Sequence, residues 1–484
     1  MKLIHYIYNK WSNGLIALLI ASFANCPMVN GQTVNLTLEQ CRQQALQHNK
    51  TLGTAKLQIK QQEADLKAMK SNFLPNFNLM AVDFYNTGKV NLTPDINGLF
   101  PSGMASVNAM MAQLAQSPVY APLVSGLQGV ASNFQLPDNF LEFKVGNFFT
   151  GGISFTEPLY AGGKITAGYK MNKLGVQMAG TNVRLKESEV LLQTDEAYVL
   201  CVRAKELGEV ARSYRTLLQE LQKNVDAAVK HGLKTRNDAM KVQVKLNEAE
   251  LNIVKADNAY RLAQMNLAQI IGLPLVQQIE VTTNGLFTEP AKDTPATSLA
   301  DITKRPEYEL LGDKTELKRL QVKLTRSDFL PSLMLFGAFG YTNGMKFMDK
   351  TLFNKATATV GVMLKVPLFH FGEGCNKIRS AKAAYQIAQL EQEDLNEKMQ
   401  LEALQASNNL REAAMEVEIT RKSVEQAAEN MKMSKQQYEV GTEPLSDYLE
   451  SHAIWQQASA SAVEARCGYL LAQSRYRKAI GLHN

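Results

Sequence analysis

The sequence predicts a mixed but mostly α-helical fold made of two similar halves, each with two β-strands followed by a long antiparallel helical hairpin. Three observations predict it: an internal repeat, two long runs without proline, and short segments that alternate between apolar and polar residues. Matching residues at a fixed spacing are the signature of duplicated structural units. The halves align at one constant offset through the pairs Pro158 and Pro367, Gly163 and Gly372, Gly232 and Gly441, Asp238 and Asp447, and Ile271 and Ile480.

The first half, residues 32–272, carries one copy of the unit. Thr37 is a typical N-cap for its opening helix, and an FLP motif ending at Pro75 stops that helix. A segment rich in Gly, Pro, Ser and Asn, residues 86–147, is predicted as a long outer loop between the strands. The predicted elements are, in order, helix 36–71, strand 77–85, strand 149–156, helix 159–230 and helix 237–271.

A Thr- and Pro-rich connector, residues 273–300, leads to the second half, residues 301–484, and is predicted to form a small side domain. The second unit replaces the long outer loop by a short link. Its longest helix, like that of the first half, would extend roughly 100 Å and has coiled-coil composition. The predicted elements are helix 303–327, strand 333–341, strand 359–366, helix 368–440 and helix 445–480.

The predicted strands alternate with a period of two. Phe149, Ile153 and Phe155 share one face, and small or polar residues occupy the other. This alternation is typical of membrane barrel strands, which place apolar residues toward lipid and polar residues toward the lumen. Four strands cannot close such a barrel, because membrane barrels begin at about eight strands. The chain is therefore predicted to oligomerise, and a trimer with about twelve strands leaves more room for a duct than a dimer with about eight.

The N-terminus predicts export. Residues 1–31 combine Lys2 and Lys10 with a short apolar run, as in a secretory signal peptide, and cleavage is expected after Gly31. Lipid attachment at Cys26 is the alternative. Four cysteines would remain, and isolated thiols are favoured, although spacing leaves their pairing open. They are Cys41, Cys201, Cys375 and Cys467.

Composition excludes several classes of function. The formal net charge of +6 comes without a basic tract, so no nucleic-acid partner is predicted. The sequence contains no catalytic motif, phosphate-binding loop or histidine pair with ligand spacing. We therefore expect no enzyme activity, cofactor or metal site.

Four motifs carry a resemblance to a known family. They are PLYAGGK (158–164), HGLKTRND (231–238), PLFHFGEG (367–374) and YEVGTEPLSDYLES (438–451). With the duplicated order of elements, they make the chain similar to the TolC family of outer-membrane efflux ducts. The resemblance implies a homotrimer with a twelve-stranded membrane β-barrel, a periplasmic tunnel of helices and an equatorial domain formed by the connector.

The resemblance also implies a function. The chain would lie in the outer membrane of a Gram-negative bacterium, in contact with lipid, as a passive channel exporting small toxic compounds. Its partners would be a periplasmic adaptor (a membrane fusion protein) and an inner-membrane pump of resistance-nodulation-division or ABC type. The exit duct of an ABC-driven type I protein secretion system is one alternative. A soluble, exported coiled-coil scaffold is an alternative of another class.

The resemblance assigns roles to the hairpin tips. Asp447 and Glu450 match carboxylates that face the pore, so three copies would form an acidic ring at the periplasmic entrance; spacing alone equally fits a solvated helix face.

Tyr438 and Asp238 match residues that hold the entrance shut, but Glu443 stands where the family has arginine. An ion pair from Lys234 or Arg236 to Glu443 is the substitute we expect. The adaptor-docking residues would be Gly232, Leu233, Gly441 and Thr442, and the strand-to-helix turns Pro158 and Pro367.

Overall fold

The computed structural model describes residues 34–85, 89–91, 109–116, 124–125, 142–283, 286–287, 301–347, 350–351 and 354–482. The predicted signal peptide, Cys26 and most of the predicted outer loop 86–147 lie outside these residues. No helix in the described ranges is both long and apolar enough to cross a lipid bilayer. The chain divides into two compact units.

The described chain is mostly helical, with four long strands. The helices are α1 (Leu38–His48), α2 (Lys50–Ser71), α3 (Lys164–Lys230), α4 (Arg236–Ile271), α5 (Pro306–Ser327), α6 (Glu373–Glu439) and α7 (Leu445–Ala479). A short 3-10 helix, Ile302–Lys304, precedes α5, and residues 109–115 are also helical. The strands are β1 (Val34–Leu36), β2 (Asn76–Tyr85), β3 (Lys89–Asn91), β4 (Glu142–Ala161), β5 (Ile279–Val281), β6 (Ser332–Phe347), β7 (Lys350–Thr351) and β8 (Asn354–Lys365).

The first unit is helical and comprises Met1–Glu63, Leu174–Leu317 and Tyr385–Asn484. Its largest core lies where β1 pairs in parallel with β5, so the connector contributes a strand that sequence reasoning did not predict. The hydroxyl of Tyr198 on α3 points at the carbonyl oxygens of Leu36 (3.1 Å) and Thr282 (2.8 Å) and ties both strands to the helix.

The four cysteines among the described residues are free thiols. Cys41, Cys201 and Cys467 are buried in the core around β1 and β5, whereas Cys375 is exposed. Burial raises the pKa of Cys41 and of Cys201 to about 12, so neither forms a reactive thiolate near neutral pH.

The second unit, Ala64–Lys173 and Lys318–Ala384, contains an antiparallel sheet in the order β2-β4-β6-β8. The predicted mixed, mostly helical fold with four long strands is thus confirmed. β4 is longer than predicted, because it begins at Glu142 inside the segment expected to be loop.

Cross-strand register sorts the sheet into two faces. One, the apolar face, aligns Leu79 with Ile153 and Ile153 with Phe339. Its exposed apolar residues include Phe77, Leu79, Ile153, Phe339, Val360 and Val362. The opposite face, called the polar face, is mostly small or polar, although several apolar residues also lie on it: Met80, Val82, Phe84, Phe148, Met334, Phe336 and Met363. Its residues include Asn78, Thr150, Ser154, Thr342, Thr357 and Thr359.

One of the two strand-to-helix boundaries differs from prediction. Pro158 does not end its strand: β4 continues to Ala161, and a register shift between Pro158 and Tyr160 accommodates the missing N–H donor. The first turn is made instead at Gly162 and Gly163, whereas Pro367 lies in the turn between β8 and α6, as predicted.

Candidate functional site at the tips of the helical hairpins

The first hairpin, α3–α4, turns at residues 231–235. Gly232 adopts φ 74°, the left-handed conformation that commonly ends a helix, and Leu233 beside it is 76% exposed. Thr235 then caps α4. Its hydroxyl oxygen accepts from the Asp238 N–H (3.3 Å), and the Asp238 carboxylate accepts from the Thr235 N–H (3.1 Å) and hydroxyl (2.8 Å). These hydrogen bonds from Thr235 lower the pKa of Asp238.

The second hairpin, α6–α7, turns at residues 440–444 in a similar way. Gly441 adopts φ 84°, and Val440 beside it is 74% exposed. The Thr442 hydroxyl donates to the Gln437 carbonyl oxygen at 3.1 Å, which closes the end of α6. Each tip therefore presents one large apolar side chain next to a left-handed glycine.

An aromatic contact links the two tips within one chain. Lys234 Nζ lies 4.7 Å from the centre of the Tyr438 ring, within the range of a cation–π interaction. The Tyr438 ring stacks on Tyr448 with centroids 5.0 Å apart. Burial raises the pKa of Tyr438, and the nearby Asp238 carboxylate adds to that shift.

The stack continues inward to a buried histidine. The ring centroids of Tyr448 and His452 are 4.6 Å apart, and Tyr214 of α3 lies 6.5 Å from His452. His452 is 2% exposed, and neither of its ring nitrogens has a hydrogen-bond partner among the described residues. Burial lowers its pKa to about 4, and the Lys435 charge contributes, so the ring is neutral at neutral pH. We call Lys234, Tyr438, Tyr448 and His452 the aromatic column.

The start of α7 has one buried face and one exposed acidic face. Leu445, Tyr448 and Leu449 are buried in the apolar cluster that joins α3, α4 and α7 below the tips. Asp447 and Glu450 lie on the exposed face, three residues apart. Because the buried positions fix the rotation of the helix, both carboxylates must point away from the core of their own chain.

The remaining predicted gate residues do not come together as expected. Glu443 Oε1 accepts from the Ser434 hydroxyl of α6 at 2.6 Å, so within one chain it does not pair with Arg236 or Lys234. Arg236 is exposed and makes no ion pair with a described residue. Sequence reasoning missed His452, although its position four residues after Tyr448 places both rings on one helix face.

No described group of three or more His, Cys, Asp or Glu residues could hold a metal ion. The chemistry available at the tips is therefore that of exposed charges, aromatic rings and two apolar side chains.

We compared the chain with known families and proteins. Residues 314–482, which include the second hairpin, match the family model described as outer membrane efflux protein. The chain is 23% identical to the alkaline protease secretion protein AprF of Pseudomonas aeruginosa over 339 residues, covering 68% of this chain and 69% of AprF. It is 22% identical to the outer membrane protein TolC of Vibrio cholerae over 343 residues, covering 69% of this chain and 77% of TolC.

This chain is similar in sequence to the TolC family of outer membrane efflux proteins. Its fold agrees: the crystal structure of the Campylobacter jejuni CmeC outer membrane channel matches with a TM-score of 0.73 and 19% identity, covering 92% of this chain and 85% of CmeC. The proteins that this chain resembles are channel proteins of the Gram-negative outer membrane and not enzymes.

Proposed function

We propose that this chain forms a passive, trimeric outer-membrane channel that exports small toxic compounds as the exit duct of a tripartite efflux pump. The open four-stranded sheet is the observation that carries the proposal. Among the described strands, β2 pairs only with β4 and β8 only with β6, so both sheet edges lack a neighbour within one chain. Unpaired edges and an exposed apolar face are costly unless other chains and lipid cover them.

Closure by further copies of the same chain satisfies both edges at once. Pairing β8 of one protomer with β2 of the next would give about twelve strands in three copies, within the range of bacterial membrane barrels. The apolar face would then contact lipid, and the polar face would line the duct.

The helical unit supports association as well. The face of α4 that points away from the core carries exposed apolar residues at helical spacing. They are Met240, Val244, Leu251, Val254, Leu262 and Met265. A second copy of the chain is the partner we infer for this stripe.

The hairpin tips would dock the rest of the pump. Leu233 and Val440 are exposed apolar anchors beside the predicted docking residues Gly232, Gly441 and Thr442. We infer that a periplasmic adaptor binds there and connects the duct to an inner-membrane pump of resistance-nodulation-division or ABC type.

Type I secretion of a polypeptide is the second candidate, favoured by the similarity to AprF and to the proteases secretion protein PrtF of Dickeya chrysanthemi. Deleting the gene for this chain distinguishes the efflux function from the secretion function. Increased sensitivity to dyes and detergents with an unchanged set of secreted proteins supports efflux. Loss of a secreted polypeptide with unchanged sensitivity supports secretion, and a chain that fractionates away from the outer membrane contradicts both.

The acidic face of α7 would form the periplasmic entrance ring. Three copies of Asp447 and Glu450 would place six carboxylates in one opening and attract cations. In planar bilayers we expect millimolar divalent cations to block the unmodified channel but not an Asp447→Ala plus Glu450→Ala variant. Equal block of both channels would show that these carboxylates do not line the entrance.

A further inference from the structure

We propose that Lys355 and Lys365 of β8 line the membrane duct and make it favour anions, against the cation preference proposed for Asp447 and Glu450. The inference rests on the proposed trimeric channel, because it takes the polar face of the sheet as the lumen.

Register places both lysines on that face. Lys355 pairs with Thr342 of β6, and Lys365 pairs with Ser332. Thr342 in turn pairs with Thr150 of β4, and the two hydroxyl oxygens lie 3.1 Å apart. The side chains of Lys355, Thr357 and Thr359 alternate with those of Ala356 and Ala358, which belong to the apolar face.

Among the strand residues whose side chains are described, none on the polar face is a carboxylate. The two acidic residues of the sheet whose side chains are described, Asp83 and Glu157, fall on the apolar face, since Asp83 pairs with Phe149 and Glu157 with Leu335. Both lysines are exposed, and neither forms an ion pair with a described residue.

The two lysines lie near opposite ends of β8. They are ten residues apart, or roughly 33 Å along the strand. In a trimer each would appear three times around the duct, so the lumen would carry a basic ring near either end. Rings of one sign in a narrow, low-dielectric passage concentrate ions of the opposite sign.

The test separates the effect of the two lysines on ion selectivity from that of the two carboxylates. In planar bilayers with a KCl gradient, an Asp447→Asn plus Glu450→Gln variant should prefer chloride, because the two carboxylates no longer oppose the lysines. Adding Lys355→Gln and Lys365→Gln should abolish that preference and shift the reversal potential toward potassium. Adding Asp83→Asn instead, a charge change on the apolar face, should leave the reversal potential unchanged.

The outcomes distinguish this proposal from the proposed function. If a folded, membrane-inserted protein gives no channels in any variant, the duct itself is contradicted. If channels form but removing the lysines does not shift the reversal potential, or shifts it no more than Asp83→Asn, the lysine proposal is overturned.

Thiol labelling tests whether the two lysine positions face the aqueous lumen, and it needs no conductance measurement. In a Cys375→Ser background, a water-soluble maleimide should label Lys355→Cys and Lys365→Cys in intact outer membranes but not Val360→Cys on the apolar face. Labelling of Val360→Cys alone, equal labelling at all three positions, or no labelling at any of them would contradict a lysine-lined lumen.

Discussion

At the scale of single residues, the aromatic column replaces the ion pair that the sequence suggested. His452 is the unusual member, because its two ring nitrogens are buried without a partner among the described residues. Leaving such groups unpaired costs about 1–3 kcal/mol, so the column is stabilised by packing against Tyr448 and Tyr214 rather than by hydrogen bonds.

His452 makes the stability of the first unit depend on pH. Its pKa is about 4 in the folded chain against 6.5 unperturbed, so between these values the unfolded chain binds a proton that the folded chain excludes. Stability is therefore lost as pH falls from about 6.5 to 4, by up to about 3 kcal/mol from this residue. Urea unfolding at pH 7 and pH 4 measures this loss of stability. The free energy of unfolding should fall less for His452→Phe than for the unmodified protein. The control is His231→Gln, which changes an exposed histidine of the first tip. Equal losses of stability in the unmodified protein and both variants would show that His452 does not cause the pH dependence.

The contact between Lys234 and Tyr438 should be measurable as a coupling energy. A double-mutant cycle with Lys234→Gln and Tyr438→Leu should give about 0.5–1 kcal/mol, as for exposed cation–π pairs. The matched cycle with Arg236→Gln should give a coupling near zero. A larger coupling for Arg236 would restore the predicted role of that residue at the gate.

Only part of this site could be predicted from the sequence. Helical spacing placed Asp447 and Glu450 on one face, and the structure adds that this face is exposed. The pairing of Glu443 with a tip cation does not form within one chain: Ser434, nine residues earlier on α6, donates to Glu443 Oε1, and Glu443 Oε2 is buried without a hydrogen-bond partner among the described residues. Contacts between helices, such as Lys234 on Tyr438, depend on how the helices are rotated against each other, which spacing within one helix does not determine.

At the scale of elements, a buried ion pair joins three helices. The Arg42 guanidinium of α1 donates two hydrogen bonds of 2.7 Å to Asp195 of α3, and the Ser474 hydroxyl of α7 donates to the same carboxylate at 2.6 Å. The Asp195 side chain is 1% exposed. Sequence reasoning gave no sign of this pair, because its residues are more than 150 positions apart along the chain.

Removing one partner of this pair should be costly. We expect Arg42→Met to lower the free energy of unfolding by about 3–5 kcal/mol, since it leaves a buried carboxylate without its counter-ion. Arg475→Met breaks an exposed pair with Glu196 between α3 and α7 and should cost at most about 1 kcal/mol. Both losses of stability are measured from denaturant midpoints. Similar losses for the two variants would contradict the claim that the buried ion pair stabilises the fold more than the exposed one.

Two helix-ending glycines test the helix boundaries. Gly232 and Gly272 have φ 74° and 79°, so alanine at either position should cost about 1–2 kcal/mol. An added Cβ at Gly272 would also lie 2.6 Å from His48 Cβ, whereas the space at Gly232 is open. Gly272→Ala should therefore destabilise more than Gly232→Ala, and the reverse order would contradict the packing of α4 against α1.

The elements themselves were largely predictable. Composition and the absence of proline identified α3 and α6, and glycine identified their ends. The start of α3 was predicted too early, because Pro158 was taken to end a strand that the structure continues through a bulge. The single helix expected over 36–71 is interrupted at Asn49, whose side chain donates to the Ile270 carbonyl oxygen, a contact distant in sequence.

At the scale of the whole molecule, the proposed functional unit contains several protomers. The sheet of one protomer has two unpaired edges among the described strands, and α4 carries an exposed apolar stripe. Counting strands in the sequence already predicted an oligomer. Three copies is the smallest number for which the proposed barrel closes and still leaves a passage.

Native mass spectrometry of the detergent-extracted mature chain tests this claim most directly, because it counts protomers without assuming a transport activity. We predict a complex of three copies that separates into single chains on heating. A folded chain that remains monomeric, or that forms only dimers, would contradict the trimeric channel.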